Sequence, residues 1–273
     1  ASTRNFYAGY SYALSVWNST RQPTDISYEY RGIAAQDYAT DVLGARAVAW
    51  IDRIRATDPS APLFMSINPA APHFPITAAP RHKSFASRWN DLYNTTIPVR
   101  ANFNEDVSDK PAYLRDFAAV RSSLVNTPWF RLEFVKRMGA LMAVDEMIQS
   151  VYNKFAERNE LDKTVFILTA DNGYNNGAHG LTHKMAPYEE SIKVPLYFSG
   201  GGIFQNQVID EPALLIDLAP TILDFANLQA PNYMDGKSWW KNLLVRPNAG
   251  GKRSEVYLQY RKYFPGAPAD TAF

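Results

Sequence analysis

The first regular pattern of apolar residues predicts a helix between about residues 40 and 56. Its apolar positions lie at helical spacing: Val42, Leu43, Ala47, Ile51 and Ile54. Thr40 or Asp41 can cap its start, because short polar side chains accept hydrogen bonds from the first backbone N–H groups of a helix. Asp58-Pro59-Ser60 ends the pattern.

A second, longer helix is predicted from Thr127-Pro128 to about Arg158, since threonine is a good N-cap and proline suits the first helical position. The apolar residues that recur three, four and seven apart are Phe130, Phe134, Met138, Leu141, Ile148, Tyr152 and Phe155. Asp145 falls on the same face. A hydrogen bond to a neighbouring loop and a functional role explain this aspartate equally well.

Three short apolar runs predict strands at residues 62–68, 164–170 and 194–198. The run at 164–170 is apolar nearly throughout, which is typical of a strand covered on both faces in a parallel sheet. The order strand, helix, strand favours an α/β fold with crossover helices. We therefore expect a mostly parallel central sheet flanked by helices.

The remaining segments carry weaker signals. Residues 1–35 alternate weakly and predict a hairpin or an irregular edge, whereas residues 76–127 predict long loops with short elements. Residues 213–228 predict a helix that Pro220 interrupts.

Turn residues dominate after about residue 230, with one candidate strand at 255–260. We expect a main α/β domain over residues 1–229. Residues 230–273 would begin a smaller C-terminal subdomain.

Composition narrows the classes of function. Lys and Arg number 28 and Asp and Glu number 27, so the near-neutral charge gives no electrostatic argument for nucleic acid or an anionic membrane surface. The absence of cysteine excludes disulfides, thiolate metal sites and a cysteine nucleophile within these 273 residues. No apolar stretch reaches the ~18 residues that a membrane span needs. Asn18 and Asn94 each begin a glycosylation sequon.

The richest candidate chemistry follows the strand at 164–170. Asp171 and Asn172 offer a carboxylate and an amide oxygen, hard ligands that suit Ca²⁺ or Mg²⁺. Calcium takes about six to eight oxygens, so other residues must complete such a site. Asp171-Asn172-Gly173 is also a good turn sequence, and these three residues alone favour the turn.

Several ionisable residues could belong to the same chemistry. His73, held between Pro72 and Phe74-Pro75, can donate to an anion or act as an acid, or can be an ordinary loop histidine. Lys184 can stabilise charge on a transferring group, or can be a surface lysine. The choice between a site role and a structural role is equally open for His179 and His183. The chain has no G-x-S-x-G, P-loop or G-x-G-x-x-G motif and no zinc-helix spacing of histidines.

The ordered motifs of the chain resemble those of the type I sulfatases, in the alkaline phosphatase superfamily. The downstream set is Asp171-Asn172-Gly173-Tyr174, Gly177-Ala178-His179-Gly180-Leu181, Lys184, Tyr188-Glu189-Glu190 and Lys193-Val194-Pro195-Leu196. The segments at residues 38–43, 71–75, 79–83, 143–147, 217–224 and 234–238 are similar to the N-acetylglucosamine-6-sulfatase and fungal arylsulfatase branch.

The resemblance implies an alkaline phosphatase-like fold and a role for each matching residue. Asp171 and Asn172 would complete a Ca²⁺ shell, with Mg²⁺ as an alternative ion, and His73 and Lys184 would contact the sulfate ester. His179 and His183 are possible substrate contacts. The family's nucleophile is a formylglycine made from the Cys or Ser of a C/S-x-P-x-R motif.

The chain departs from the family because it holds neither that motif nor the paired aspartates that open the family's metal site. It resembles the C-terminal portion of a sulfatase, and we expect the nucleophile on an N-terminal segment of the same protein. This chain alone would then be inactive. Smaller departures are Ala170, where Ser or Thr is usual, and His183 and Met185, where Asp and Arg are frequent.

The implied function is hydrolysis of a sulfate ester of a small molecule or glycan, by a secreted or lysosomal/vacuolar enzyme. The partners would be that substrate and the N-terminal segment, with no nucleic acid and no membrane span. Two alternatives stay open: a non-catalytic sulfatase-like binding module, and a phosphoester or phosphonate hydrolase of the same superfamily.

Overall fold

The computed structural model describes residues 6–17, 26–83, 100–121, 123, 125, 127–184, 186–240 and 255–258. The sequons at Asn18 and Asn94 lie outside them. The chain forms two compact units. Unit 1 comprises Ala1–Asn159 and Asn176–Thr182, and unit 2 comprises Glu160–Asn175 and His183–Phe273.

Unit 1 begins with a β-hairpin, as the alternation near the N-terminus predicts. Strands β1 (Ala13–Trp17) and β2 (Ile26–Tyr30) pair antiparallel, with Ala13 opposite Tyr30.

The first predicted helix is confirmed as α1 (Ala39–Thr57), but its predicted cap is wrong. Tyr38 occupies the N-cap position without a side-chain cap bond, and Thr40 and Asp41 lie inside the first turn. The Tyr38 side chain is fully buried and donates to the Thr77 carbonyl at 2.8 Å. Burial raises the pKa of Tyr38 to about 12, so the phenol keeps its donor proton.

The long helix is confirmed as α3 (Pro128–Glu157), and α2 (Ala112–Arg121) lies before it in the region predicted as loops. The Thr127 hydroxyl accepts from the Phe130 backbone N–H at 3.2 Å, as expected of an N-cap.

The buried face of α3 differs from the predicted one. The buried residues are Phe130, Val135, Gly139, Ala140, Ala143, Met147, Val151 and Phe155. In contrast, Leu141, Ile148 and Tyr152 are 39%, 37% and 42% exposed, and Asp145 shares their exposure. Small residues explain the difference because they permit close approach: a Cβ on Gly139 would lie 2.7 Å from Ala78 Cβ.

The strand predicted at residues 62–68 is wrong. Exposure alternates residue by residue over this segment, and Phe64 is 66% exposed. None of the described residues forms a ladder with it, and an extended segment becomes a strand only when a neighbour supplies its hydrogen bonds.

Unit 2 contains two predicted strands, β3 (Val165–Thr169) and β4 (Leu196–Gly200), with the short helix α4 (Glu189–Ile192) between them. The strands pair antiparallel, with Val165 opposite Gly200. Both ladders among the described residues are therefore antiparallel, and the parallel pairs expected of the central sheet are not among them.

The helix predicted at residues 213–228 is shorter than expected. A 3₁₀ turn (Leu215–Asp217) leads into α5 (Leu218–Phe225). Pro220 lies in the first turn and does not interrupt the helix, because N–H groups there have no intrahelical acceptor. Residues 255–258 are not in a strand, so this part of the candidate strand at 255–260 is wrong. Across the described ranges, no helix is long and apolar enough to cross a membrane.

Candidate active site

The turn that follows β3 carries two of the candidate residues, Asp171 and Asn172. Asp171 is exposed, and no described residue hydrogen-bonds or ion-pairs with its carboxylate. Asn172 is half-buried and donates from Nδ2 to the Gly173 carbonyl at 2.8 Å. The carboxylate is therefore available to a ligand, while the amide is oriented by its own turn.

Lys184 reaches the same turn from further along the chain. Its Nζ donates to Asn172 Oδ1 at 2.6 Å, across 12 residues of sequence. The structure thus brings together two residues that the sequence singles out for different roles, a metal ligand and a cationic substrate contact.

Buried polar contacts hold this turn in place. Asn175 is fully buried, its backbone N–H donates to the His183 carbonyl at 2.6 Å, and its Nδ2 donates to Ser191 Oγ at 2.7 Å. Sequence reasoning missed this asparagine, because nothing in its pattern separates it from Asn176 beside it.

Glycine is required at residue 173 for a related reason. The Gly173 N–H donates to the Ser191 carbonyl at 2.8 Å, and a Cβ at this position would lie 2.1 Å from the Glu190 carbonyl oxygen. The backbone that follows the candidate ligands is therefore fixed against Glu190 and Ser191 of α4.

His183 belongs to unit 2 with the residues above. It has a φ of +69°, and its ring centroid lies 5.7 Å from that of Tyr174. The side chain is half-buried.

His73 belongs to unit 1, where it is exposed in a tight turn. Its Nδ1 contacts the Phe74 carbonyl, and its ring centroid lies 4.4 Å from that of Tyr7. Because a carbonyl only accepts, Nδ1 carries a proton in this contact. Nε2 has no partner among the described residues and is the nitrogen available for chemistry.

His179 also lies in unit 1, and both of its ring nitrogens are engaged. Nδ1 lies 2.5 Å from Glu105 Oε1 and Nε2 lies 3.1 Å from Asn102 Nδ2. Backbone bonds run alongside: His179 N–H donates to the Asn102 carbonyl and Asn104 N–H to the Gly177 carbonyl, both at 2.7 Å. His179 therefore joins segment 100–105 to segment 176–182.

The candidate ligands fit part of a calcium site. Asp171 and Asn172 both carry hard oxygens, and the Asp171 carboxylate is without a partner among the described residues. Within the described part of the chain, no group of three or more His, Cys, Asp or Glu side chains could hold a metal ion. Two oxygens are fewer than the about six to eight that calcium takes, so further ligands are required.

Comparison with known proteins shows that the chain is similar to sulfatases. The family model described as Sulfatase matches residues 2–228. The N-acetylglucosamine-6-sulfatase of Bos taurus is 33% identical over 256 residues, which are 92% of this chain and 42% of that protein. The extracellular sulfatase SULF-1 homolog of Drosophila melanogaster is 30% identical over 242 residues, which are 88% of this chain and 20% of that protein. The chain thus spans less than half of each relative.

Solved structures confirm the predicted fold class. The structure of a protein in complex with its substrate D-glucosamine-2-N,6-O-disulfate matches with a TM-score of 0.67 and 22% identity, over 90% of this chain and 59% of that one. The phosphonate monoester hydrolase SpPMH from Silicibacter pomeroyi matches with a TM-score of 0.72 and 22% identity, over 86% of this chain and 47% of that one. The chain therefore has an incomplete α/β fold of the alkaline phosphatase-like type.

Proposed function

The chain belongs to the sulfatase family, and we propose on this premise that it is part of a sulfuric ester hydrolase. The observation that carries the proposal is the hydrogen bond from Lys184 Nζ to Asn172 Oδ1, beside the exposed carboxylate of Asp171. It brings a cation to a turn that carries two side chains with hard oxygens, which is the combination that binding an anionic ester beside a divalent metal requires.

Each residue receives a separate role. Lys184 binds a non-bridging oxygen of the sulfate group and stabilises the charge that it carries. His73, whose Nδ1 proton is held by the Phe74 carbonyl, uses Nε2 to give a proton to the departing alcohol oxygen. His179 and His183 stay candidates for substrate contact.

Asp171 and Asn172 would hold a Ca²⁺ ion, or Mg²⁺ in its place. The bound ion would polarise the sulfate oxygens as a Lewis acid. An amide oxygen has two lone pairs, so Asn172 can accept from Lys184 and still offer Oδ1 to a cation.

The nucleophile lies on a further segment of the same protein, as does the rest of the metal shell. This part of the proposal is supported by the coverage of the relatives: 92% of this chain matches only 42% of the bovine protein. The exposed apolar residues Leu141, Ile148 and Tyr152 on α3 provide a surface that such a segment could bury. A formylglycine there would supply the attacking oxygen.

The proposed substrate class is a sulfated sugar. Support comes from the names of the matched proteins, an N-acetylglucosamine-6-sulfatase and a structure bound to a disulfated glucosamine. The relative named as an extracellular sulfatase supports secretion, with a lysosome or vacuole as the alternative location. Residues 1–229 would form part of the catalytic domain and residues 230–273 would begin the C-terminal subdomain.

Phosphonate or phosphate ester hydrolysis is the second candidate function. It is favoured by the TM-score of 0.72 to a phosphonate monoester hydrolase. The fold serves both chemistries, so the ester must be decided by assay.

The test compares ester hydrolysis by the full-length protein on para-nitrophenyl sulfate, para-nitrophenyl phosphate and a phosphonate monoester, with and without added Ca²⁺. We expect sulfate release that a calcium chelator abolishes. A preference for either phosphorus ester would support the second candidate. Binding of a sulfated sugar without turnover of any ester would instead identify a binding module.

The ligand assignment is tested by Asp171→Ala, with Asp162→Ala as the matched control because Asp162 is also an exposed aspartate of unit 2. Removing groups that merely support a metal ligand costs about 10–100-fold, so losing a direct ligand should cost at least about 100-fold in turnover. Wild-type sulfate release by Asp171→Ala would refute the assignment.

A further inference from the structure

Arg137 is a half-buried arginine of α3 whose guanidinium makes two hydrogen bonds with different nitrogens. Nε donates to the Pro72 carbonyl at 3.0 Å, across 65 residues of sequence, and Nη1 donates to Asn176 Oδ1 at 2.6 Å. All of these residues belong to unit 1. One side chain on a 30-residue helix therefore binds two separate loops.

The first of these bonds bears directly on His73. The Pro72 carbonyl and the His73 N–H are the two polar ends of a single peptide group. Arg137 holds the oxygen, and the His73 N–H donates to the Ala70 carbonyl at 2.8 Å. Because a peptide group is planar and rigid, holding both ends fixes the direction in which the chain enters His73.

The other contacts of His73 act at shorter range. The Phe74 carbonyl and the Tyr7 ring orient the imidazole, and the Ile76 N–H closes the turn by donating to the His73 carbonyl at 2.9 Å. Apolar contacts also tie this loop to α3, because Ile76 packs with Ala140 and the Phe74 ring centroid lies 6.0 Å from that of Trp129. Arg137 adds a hydrogen bond to the peptide group through which the chain enters His73.

Arginine suits this task better than lysine. The guanidinium is a planar fork with donors pointing in different directions, and it stays charged at every accessible pH. Lysine presents one nitrogen at the end of a flexible chain, so it would lose the geometry that serves Pro72 and Asn176 together. Hydrogen bonds from a charged donor are also stronger than neutral ones.

We propose that Arg137 is a positioning residue for His73, because it anchors the peptide group that precedes the histidine to α3. The role depends on the proposed function, in which His73 protonates the departing oxygen. Arg137 touches neither the ester nor the reacting atoms in this scheme. Its removal displaces the imidazole and leaves substrate binding nearly intact.

The kinetic test uses Arg137→Lys and Arg137→Gln in the full-length enzyme with para-nitrophenyl sulfate. We expect kcat to fall about 10- to 100-fold, since a displacement of about 1 Å at a catalytic group has effects of this size, while KM changes little. Arg53→Gln is the matched control, because Arg53 is an exposed arginine of α1.

A double-mutant cycle separates positioning from a general structural role. If Arg137 acts through His73, Arg137→Lys costs little further activity once His73→Asn is present. Wild-type kcat in Arg137→Lys, or an additive loss in the double variant, would overturn the proposal.

A spectroscopic readout does not depend on turnover. The chain has four histidines, so single His→Gln substitutions can assign their ring signals in a proton–nitrogen NMR spectrum. Arg137→Lys should move the His73 ring signals and leave those of His82 in place. Unchanged His73 signals would refute the positioning role even in an active enzyme. A wild-type protein that hydrolyses no ester would refute the proposed function, while the His73 signals would still decide on Arg137.

Discussion

Lys184 and Asn172 are joined by a hydrogen bond of 2.6 Å that links the two ends of the polar turn after β3. The bond orients the amide oxygen, and it brings the ammonium group to the residue that follows Asp171. Asn175, which is fully buried, fixes the same turn through the His183 carbonyl. The charge of the turn is therefore held in position before any ligand arrives, which is the condition for electrostatic stabilisation of a developing charge.

Lys184→Met should lower kcat for para-nitrophenyl sulfate about 100- to 1000-fold, the usual cost of removing a group aimed at developing charge. Lys193→Met is the matched control, since Lys193 is 76% exposed and its ion pair with Glu189 spans 3.6 Å in solvent. Steady-state kinetics and thermal unfolding of both variants make the comparison. Near-wild-type kcat in Lys184→Met would remove the lysine from the proposed site.

The helices and strands with strong local signals could be predicted from the sequence. Thr127-Pro128 sets the start of α3 through a side-chain bond that spans three residues, and the apolar run before Asp171 forms β3. Such elements are encoded by neighbours in the chain. The segment at 62–68 has an equally apolar pattern, but no strand forms there among the described residues, because a ladder needs a partner that local sequence does not specify.

The buried face of α3 shows a second limit. Large apolar side chains define the predicted face, yet Gly139 and Ala143 are buried while Leu141 is exposed. The candidate residues themselves follow from motifs, but Arg137 and Glu105 do not. Their partners lie 39 to 74 residues away, and an isolated arginine or glutamate carries no signal of such a contact.

Asp217→Ala should destabilise the protein by about 3 kcal/mol or more, since each buried donor left without a partner costs about 1–3 kcal/mol. The Asp217 side chain is 1% exposed. It accepts from the backbone N–H groups of Leu214 at 2.9 Å and Lys237 at 2.7 Å, and from Trp239 Nε1 at 3.2 Å. Chemical denaturation followed by tryptophan fluorescence measures the change.

Asp224→Ala is the control for that experiment. Asp224 accepts from Ser238 Oγ at 2.7 Å in an exposed contact, so its loss should cost no more than about 0.5 kcal/mol. Equal destabilisation by the two variants would show that burial of the Asp217 carboxylate does not govern its contribution to the free energy of unfolding.

Acidification should reduce the stabilising effect of Glu146. Hydrogen bonds from Arg81, which also binds Asp41 through both terminal nitrogens, hold the pKa of Glu146 below its ordinary value of 4.5. The unfolded chain regains the ordinary pKa, so the stabilisation is complete above about pH 4.5 and is lost as the pH falls through the lower, folded value.

The measurement is the free energy of unfolding of wild type and Glu146→Gln across the range from about pH 6 to pH 3. The difference between them should shrink towards low pH. Glu157→Gln, on the same helix and 65% exposed, should show a small effect because exposed ion pairs contribute little. A constant difference for Glu146→Gln over the whole range would contradict the prediction.

Glu105→Ala should loosen the contact between segments 100–105 and 176–182. The Glu105 carboxylate lies 2.5 Å from His179 Nδ1, and a hydrogen bond to a charged group contributes about 1.5–3 kcal/mol. If the two segments separate by local opening, that loss corresponds to roughly 10- to 100-fold faster exchange of the amides between them. The reporting amides are those of Asn104 and His179, which donate to Gly177 and Asn102 across the contact.

Native-state hydrogen exchange followed by NMR distinguishes this effect from general destabilisation, because amides in the middle of α1 should keep their wild-type rates. Asp106→Ala is the neighbouring control: its carboxylate accepts from the backbone and hydroxyl of Ser108 at 2.9 Å within its own turn. His179→Gln should accelerate the same two amides, and the combination with Glu105→Ala should add little, since both changes remove one interaction. Unchanged exchange at Asn104 in Glu105→Ala would contradict the prediction and show that the backbone bonds hold the segments together without this ion pair.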